Sequence, residues 1–215
     1  MPKPVNGIDF HMKTIIILDP TEIVFRKFEN TLKEQSMKYF GFFKSNTLTT
    51  CYKFGIFQDY LKENVLEITA NHIINNPNLL SGAQNAFDYF ASLGKNIEIF
   101  AYSDIKNPLL SKRLVEQYSK IPSMGVIGRY LFPTKTDNMS DILSEIRFEF
   151  LRANVLFVTS NIHGVSAAKE EGITPVIVTD KINEQILARK YRALCAENLE
   201  MFAKQIKNGY LANMY

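Results

Sequence analysis

Apolar residues along this chain follow two rhythms that replace each other repeatedly. Short unbroken runs are rich in β-branched and aromatic residues and end in turn formers: TIIIL from Thr14, NIEIFAYSD from Asn96, VIGRYLF from Val126, VLFVTS from Val155 and TPVIVTD from Thr174. Runs of that length without polar alternation are expected of strands buried on both faces of a sheet. Between them, apolar positions recur every three or four residues, the period of a helix with one buried face. This pattern predicts helices in EIVFRKFENTLKEQSMKYF, CYKFGIFQDYLKENVLEITANHIIN, NPNLLSGAQNAFDYFASLG, LLSKRLVEQYSK, DILSEIRFEFL and SAAKEEG. Gly94 is placed to stop the third of these. The closing stretch EQILARKYRALCAENLEMFAKQIKNGY reads as one long helix.

Strands alternating with helices imply an α/β fold: a Rossmann-like parallel sheet flanked by helices on both faces. Two long helical segments directly after the first strand break the alternation and predict a small helical cap inserted there. The expected division is a core of residues 13–24 and 77–215 with a cap of 25–76, preceded by a loose arm of residues 1–12 that carries Pro and Gly. In open parallel sheets ligands bind beyond the carboxyl ends of the strands. That rule singles out Asp19 to Thr21, Ser103 and Asp104, and Ser160 to His163.

Composition narrows the range of functions. The 215 residues are 46% hydrophobic and 12% aromatic, enough for one α/β domain with a real core, and the formal charge is only +3. Lys and Arg are interspersed with Asp and Glu, so no basic stripe argues for nucleic acid. TIIIL is far too short to span a membrane or serve as the apolar part of a secretory leader. Cys51 and Cys195 lie far apart, and no CxxC spacing suggests zinc. The expectation is a soluble cytoplasmic protein with two unpaired thiols.

Each strand-end residue has an ordinary reading. Asp19 before Pro20 is a turn former; Ser103 and Lys135, in FPTKTDN, suit a cap and a solvated surface. The chemical reading makes Asp19 a nucleophile, Ser103 a ligand for a substrate oxygen, and Lys135 the neutraliser of a transferring anion. His163 in its turn suits a solvated or capping role, and Tyr39, Phe40, Phe42 and Phe43 suit the core of the insertion.

Taken in order, these positions resemble the haloacid dehalogenase superfamily, whose four short motifs sit at successive strand ends. IIILDPTEIV is similar to the first motif, with Asp19 in the nucleophile's place and Thr21 where a second Asp is usual. Ser103 corresponds to the second motif and Lys135 to the third. The fourth, Gly-Asp-Ser-x-x-Asp-Ile-x-Ala-Ala in many members, aligns without a gap on Thr159 to Ala168. Its two acidic positions are Ser160 and Gly164.

The departures bear on mechanism. The resemblance implies Mg²⁺ for phosphatases, but Asp19 is the only charged ligand these motifs supply, and Mg²⁺ usually requires more carboxylate. Glu22, Asp104 and Asp180 are the remaining acids from which a substitute would come. Thr21 is a poor proton donor near neutral pH, unlike the acid it replaces. The 2-haloacid dehalogenases are similar in the fourth motif, where Ser-Ser-Asn matches Thr159-Ser160-Asn161, and they use no metal. They keep an Asp where Gly164 stands and an aromatic residue where Thr21 stands, and no halide-binding Arg is recognisable in the cap. Two readings follow. One is a hydrolase acting through Asp19 and Lys135 on a small anionic substrate held by Thr21, Ser103, Ser160 and Asn161, with weak phosphatase or metal-free activity. The other is a degenerate member that binds anions or another protein through the same fold.

Overall fold

A computed structural model describes residues 13–25, 58–93, 95–134 and 136–207. The strands are β1 (Thr14–Leu18), β2 (Ile97–Tyr102), β3 (Ile127–Leu131), β4 (Asn154–Thr159), β5 (Thr174–Val178) and β6 (Leu194–Ala196). The helices are α1 (Pro20–Ile23, a single turn), α2 (Gln58–Asn75), α3 (Ala83–Ala91), α4 (Pro108–Ser119), α5 (Met139–Glu149), α6 (Ile162–Glu170), α7 (Ile182–Lys190) and α8 (Leu199–Lys207), with a 3₁₀ turn at Pro122–Val126. The six strands form one parallel sheet in the order β3-β2-β1-β4-β5-β6. The fold class is therefore the expected one: α/β, Rossmann-like, with helices on both faces.

Alternation along the strands divides the core. Ile16, Leu18, Ile99, Ala101, Leu156 and Val158 face α3, α4 and α8 and meet Phe87, Leu114 and Phe202. Ile15, Ile17, Phe100, Tyr102, Val155 and Phe157 face the opposite way, toward Leu143 and Ile146 of α5 and Ala168 of α6. Every residue of β1 is buried, as a continuous apolar run in a central strand requires.

The strand order fixes where a ligand belongs. The chain runs outward from β1 through β2 to β3, then returns to the other side of β1 as β4. The reversal opens a crevice at the carboxyl ends of β1 and β4.

The end of the chain is organised differently from the single helix expected. Arg192 takes a left-handed backbone conformation (φ 58°), which ends α7; Leu194–Ala196 then joins the sheet edge as β6. Asn198 restarts the helix, its side-chain oxygen accepting from the Met201 N–H at 2.9 Å. Apolar residues of α7 and α8 stay in helical phase across the break, which hides three residues of strand from a periodicity argument.

Residues 26–57, with Tyr39, Phe40, Phe42, Phe43 and Cys51, lie outside the described residues, as do Gly94 and the arm of 1–12. Within the expected insertion, α2 is described: Ala70 and Ile73 are buried in the same cluster as β1 and α4. Asn107, ahead of α4, donates to the Glu67 carboxylate at 3.1 Å. Among the described residues no helix is long and apolar enough to cross a membrane.

Candidate active site

Asp19 sits at the crevice because β1 ends there. Its N–H donates to the Val158 carbonyl at 3.1 Å, extending the β1–β4 ladder by one residue, and its carbonyl accepts from Ile23 N–H at 3.1 Å to open α1. Pro20 at the first helical position has the fixed φ that this strand-to-helix change requires. Asp19 as a whole is only 5% exposed. Thr21, also buried, donates its hydroxyl to Asp19 Oδ1 at 2.6 Å. The residue that replaces the usual second acid thus holds one oxygen of the candidate nucleophile.

Ser103 follows β2. Its N–H donates to Leu131 O at 3.1 Å, while its hydroxyl is buried without a hydrogen-bond partner among the described residues. Leaving a buried hydroxyl unsatisfied costs about 1–3 kcal/mol, so such a group calls for a role. Asp104, half-buried, accepts from the Tyr102 hydroxyl at 3.2 Å.

Lys135 lies outside the described residues, but the loop around it is defined. It leaves the carboxyl end of β3, and Thr134 donates from its N–H (3.1 Å) and hydroxyl (2.6 Å) to Asp137 Oδ2. Those two bonds, with smaller help from Thr136 and Lys106, hold the Asp137 carboxyl below its usual range. Asn138 and Asp141 complete a reciprocal capping box that starts α5.

The turn after β4 has a different character. Asn161 caps α6, accepting from His163 N–H at 2.9 Å, while its own N–H donates to the Thr159 hydroxyl at 3.0 Å. Ser160 is half-buried, His163 is exposed, and Asp180, beyond β5, is exposed as well. Gly164 is buried against the strand: a Cβ there would lie 3.0 Å from Phe157 Cε1 and 3.1 Å from Thr159 Cγ2. Neither neighbour yields easily. Phe157 packs edge-on against Tyr102 at 5.8 Å, and Thr159 is tied to Asn161. Packing thus crowds any side chain at the position where the resemblance to the fourth motif expects its second acid.

These residues do not fit a Mg²⁺ site. Among the described residues no group of three or more His, Cys, Asp or Glu side chains is placed to hold a metal ion. A single carboxylate beside hydroxyls and an amide is a weak donor set for so hard a cation.

Tyr118 is the residue that sequence reasoning passed over. Its spacing with Leu110 and Leu114 marks it as part of the buried face of α4, and nothing more. In the structure its ring stacks on Phe25 (centroids 5.4 Å apart), just beyond the Asp19 turn, and on Tyr130 (6.0 Å) near the end of β3. Burial first, and then the Asp19 carboxylate and Tyr130, push its phenol well above the ordinary range.

No family model matches the chain, and no curated protein matches it by sequence. Solved structures do. The L-2-haloacid dehalogenase of Xanthobacter autotrophicus, with chloropropionic acid covalently bound, superposes with a TM-score of 0.57 at 14% identity over 95% of this chain and 100% of that one. A haloacid dehalogenase-like hydrolase family protein from Streptococcus pneumoniae gives 0.62 at 9% identity, over 91% of this chain and 98% of its own. A predicted phosphatase from Clostridium acetobutylicum gives 0.60 at 9%, over 92% and 99%. The strand order, the buried Asp at the end of β1 and these superpositions lead to one conclusion: the chain has the haloacid dehalogenase-like hydrolase fold.

Proposed function

We propose that the protein is a hydrolase that uses Asp19 as its nucleophile without a divalent metal. The observation that carries this reading is the Asp19 carboxylate itself, buried at the topological switch point and held through one oxygen by Thr21. With Oδ1 fixed, the other oxygen attacks an electrophilic centre of a small anionic substrate. The new bond forms an ester on Asp19 as the leaving group departs with its bonding pair. Water then adds to the ester carbonyl; the product leaves with one of the water's protons on the new hydroxyl, the other passes to solvent, and the carboxylate is restored.

Thr21 also selects the leaving group. The first motif offers no acid to protonate a departing alkoxide, so substrates that release a stable anion, such as the halide of a 2-haloacid, suit the site better than phosphomonoesters. Phosphatase activity would accordingly be weak. Ser103, Ser160 and Asn161 supply neutral polar groups for the substrate, and Lys135 supplies charge. The covalent chloropropionate in the Xanthobacter protein supports the same chemistry on the same fold.

The same threonine favours a second reading. Without a general base, ester hydrolysis is slow, and a chain that stalls there functions as an anion-binding or protein-interaction module. The test is halide release from 2-chloropropionate and phosphate release from p-nitrophenyl phosphate, each with Mg²⁺ and with EDTA, for the native protein and Asp19→Asn. EDTA-insensitive halide release that Asp19→Asn abolishes supports the hydrolase. Mg²⁺-dependent phosphate release overturns the metal-free account, and binding of the substrate without any release supports the module.

A further inference from the structure

Two buried hydroxyls near Asp19 have no hydrogen-bond partner among the described residues: Ser103 Oγ, 2% exposed, and the Tyr118 hydroxyl, on a residue 1% exposed. They share one side of the sheet. Ser103 continues the alternation of Ile97, Ile99 and Ala101, whose side chains lie in the cluster that contains Tyr118. Side chains on a helix lean toward its amino end, and α4 starts just beyond β2. The Tyr118 ring is therefore directed toward the carboxyl ends of the strands, consistent with its contacts to Phe25 and Tyr130.

Packing alone accounts for the ring and not for the oxygen. A phenylalanine would make the same stacking contacts and bury no unsatisfied group, whereas the hydroxyl is desolvated with no partner to replace water. We infer that Tyr118 is a ligand-binding residue of the Asp19 site, its hydroxyl and that of Ser103 both donating to an oxyanion oxygen of the bound substrate. The raised phenol pKa keeps the proton on Tyr118 throughout the physiological range, so the group is a donor and not a base. It has a polarity that suits a carboxylate or phosphate oxygen and repels none of its charge. This inference rests on the anionic-substrate reading above.

The test compares native protein, Ser103→Ala and Tyr118→Phe for binding of inorganic phosphate and of lactate by titration calorimetry, with thermal melting of each. Tyr118→Phe should melt no lower than the native protein while binding at least one probe about 10-fold or more weakly, the effect of one lost hydrogen bond to a charged group. Ser103→Ala should weaken the same probe. If Ser103→Ala weakens binding and Tyr118→Phe does not, the hydroxyl is a tolerated core defect and the inference fails while the site reading stands. If neither anion binds the native protein, the anionic-substrate reading fails and the inference with it. Should Tyr118→Phe melt well below the native protein, its hydroxyl is a structural bond and the assignment is wrong.

Discussion

The turns after β1 and β4 are neighbours at the same crevice, yet they have been built to opposite ends. After β1 the chain keeps a charge: Asp19 is buried and one of its oxygens is held by a hydroxyl two residues on. After β4 the chain keeps shape: Asn161 and Thr159 spend hydrogen bonds on capping α6, and Gly164 lets the helix lie against Phe157 and Thr159. Nucleophilic attack needs the first turn alone, while metal binding needs acids from both. The contrast sets a buried, hydrogen-bonded carboxylate after β1 against a capped, closely packed turn after β4.

The largest effect expected is from Asp19→Asn, which removes the nucleophile and should lower halide release on the order of 10³-fold or more with the fold retained. A smaller loss, monitored as the same rate, would place the chemistry elsewhere in the crevice. Next comes Gly164→Asp, the change that would return an acid to the second turn. Because its Cβ meets Phe157 and Thr159 at 3.0–3.2 Å, it should destabilise the protein by about 1–3 kcal/mol in urea unfolding and confer no Mg²⁺ dependence. Mg²⁺-stimulated activity in that variant would erase the contrast between the turns.

Thr21→Val keeps the shape and removes the donor to Asp19. Loss of a buried bond to a charged group should cost about 1.5–3 kcal/mol, and the rate should fall as the carboxylate loses its fixed orientation. An unchanged melting temperature and rate would mean that Thr21 does not hold the nucleophile. The smallest effect belongs to Asn161→Ala, where removal of the cap should cost about 1 kcal/mol of stability. Substrate affinity should fall with it, because Asn161 is among the proposed substrate contacts; unchanged affinity would reduce its role to capping α6.

Alkaline pH gives a further handle on the first turn's surroundings. Tyr118 has a folded pKa raised above its unfolded value of about 10, so its contribution is fully present below that pH and is lost as pH rises through the folded value. Tyr118→Phe should therefore lose stability less steeply above about pH 10.

Much of this organisation was legible in the chain. Unbroken runs such as TIIIL and VLFVTS could only satisfy their backbone and bury every side chain as central strands, and a strand end is where Asp19, Ser103 and Ser160 had to appear. Gly164 was readable as a missing acid; that a Cβ there would crowd Phe157 and Thr159 depends on how α6 lies on β4, which no local pattern encodes. Tyr118 was readable as core from its spacing with Leu114, but an unpartnered hydroxyl is a property of the assembled packing. β6 was hidden because Arg192 supplies the left-handed turn that Gly or Asn would have announced.

The most direct test of the central claim is the mass of the tryptic peptide spanning residues 14–26 after incubation with 2-chloropropionate in EDTA. In ¹⁸O-labelled water, attack by Asp19 displaces chloride and forms a 1-carboxyethyl ester whose hydrolysis at the carbonyl leaves ¹⁸O in the Asp19 carboxylate, located by fragmentation, and Asp19→Asn should gain none. A peptide without ¹⁸O from protein that nonetheless releases chloride would contradict the assignment of Asp19 as the nucleophile.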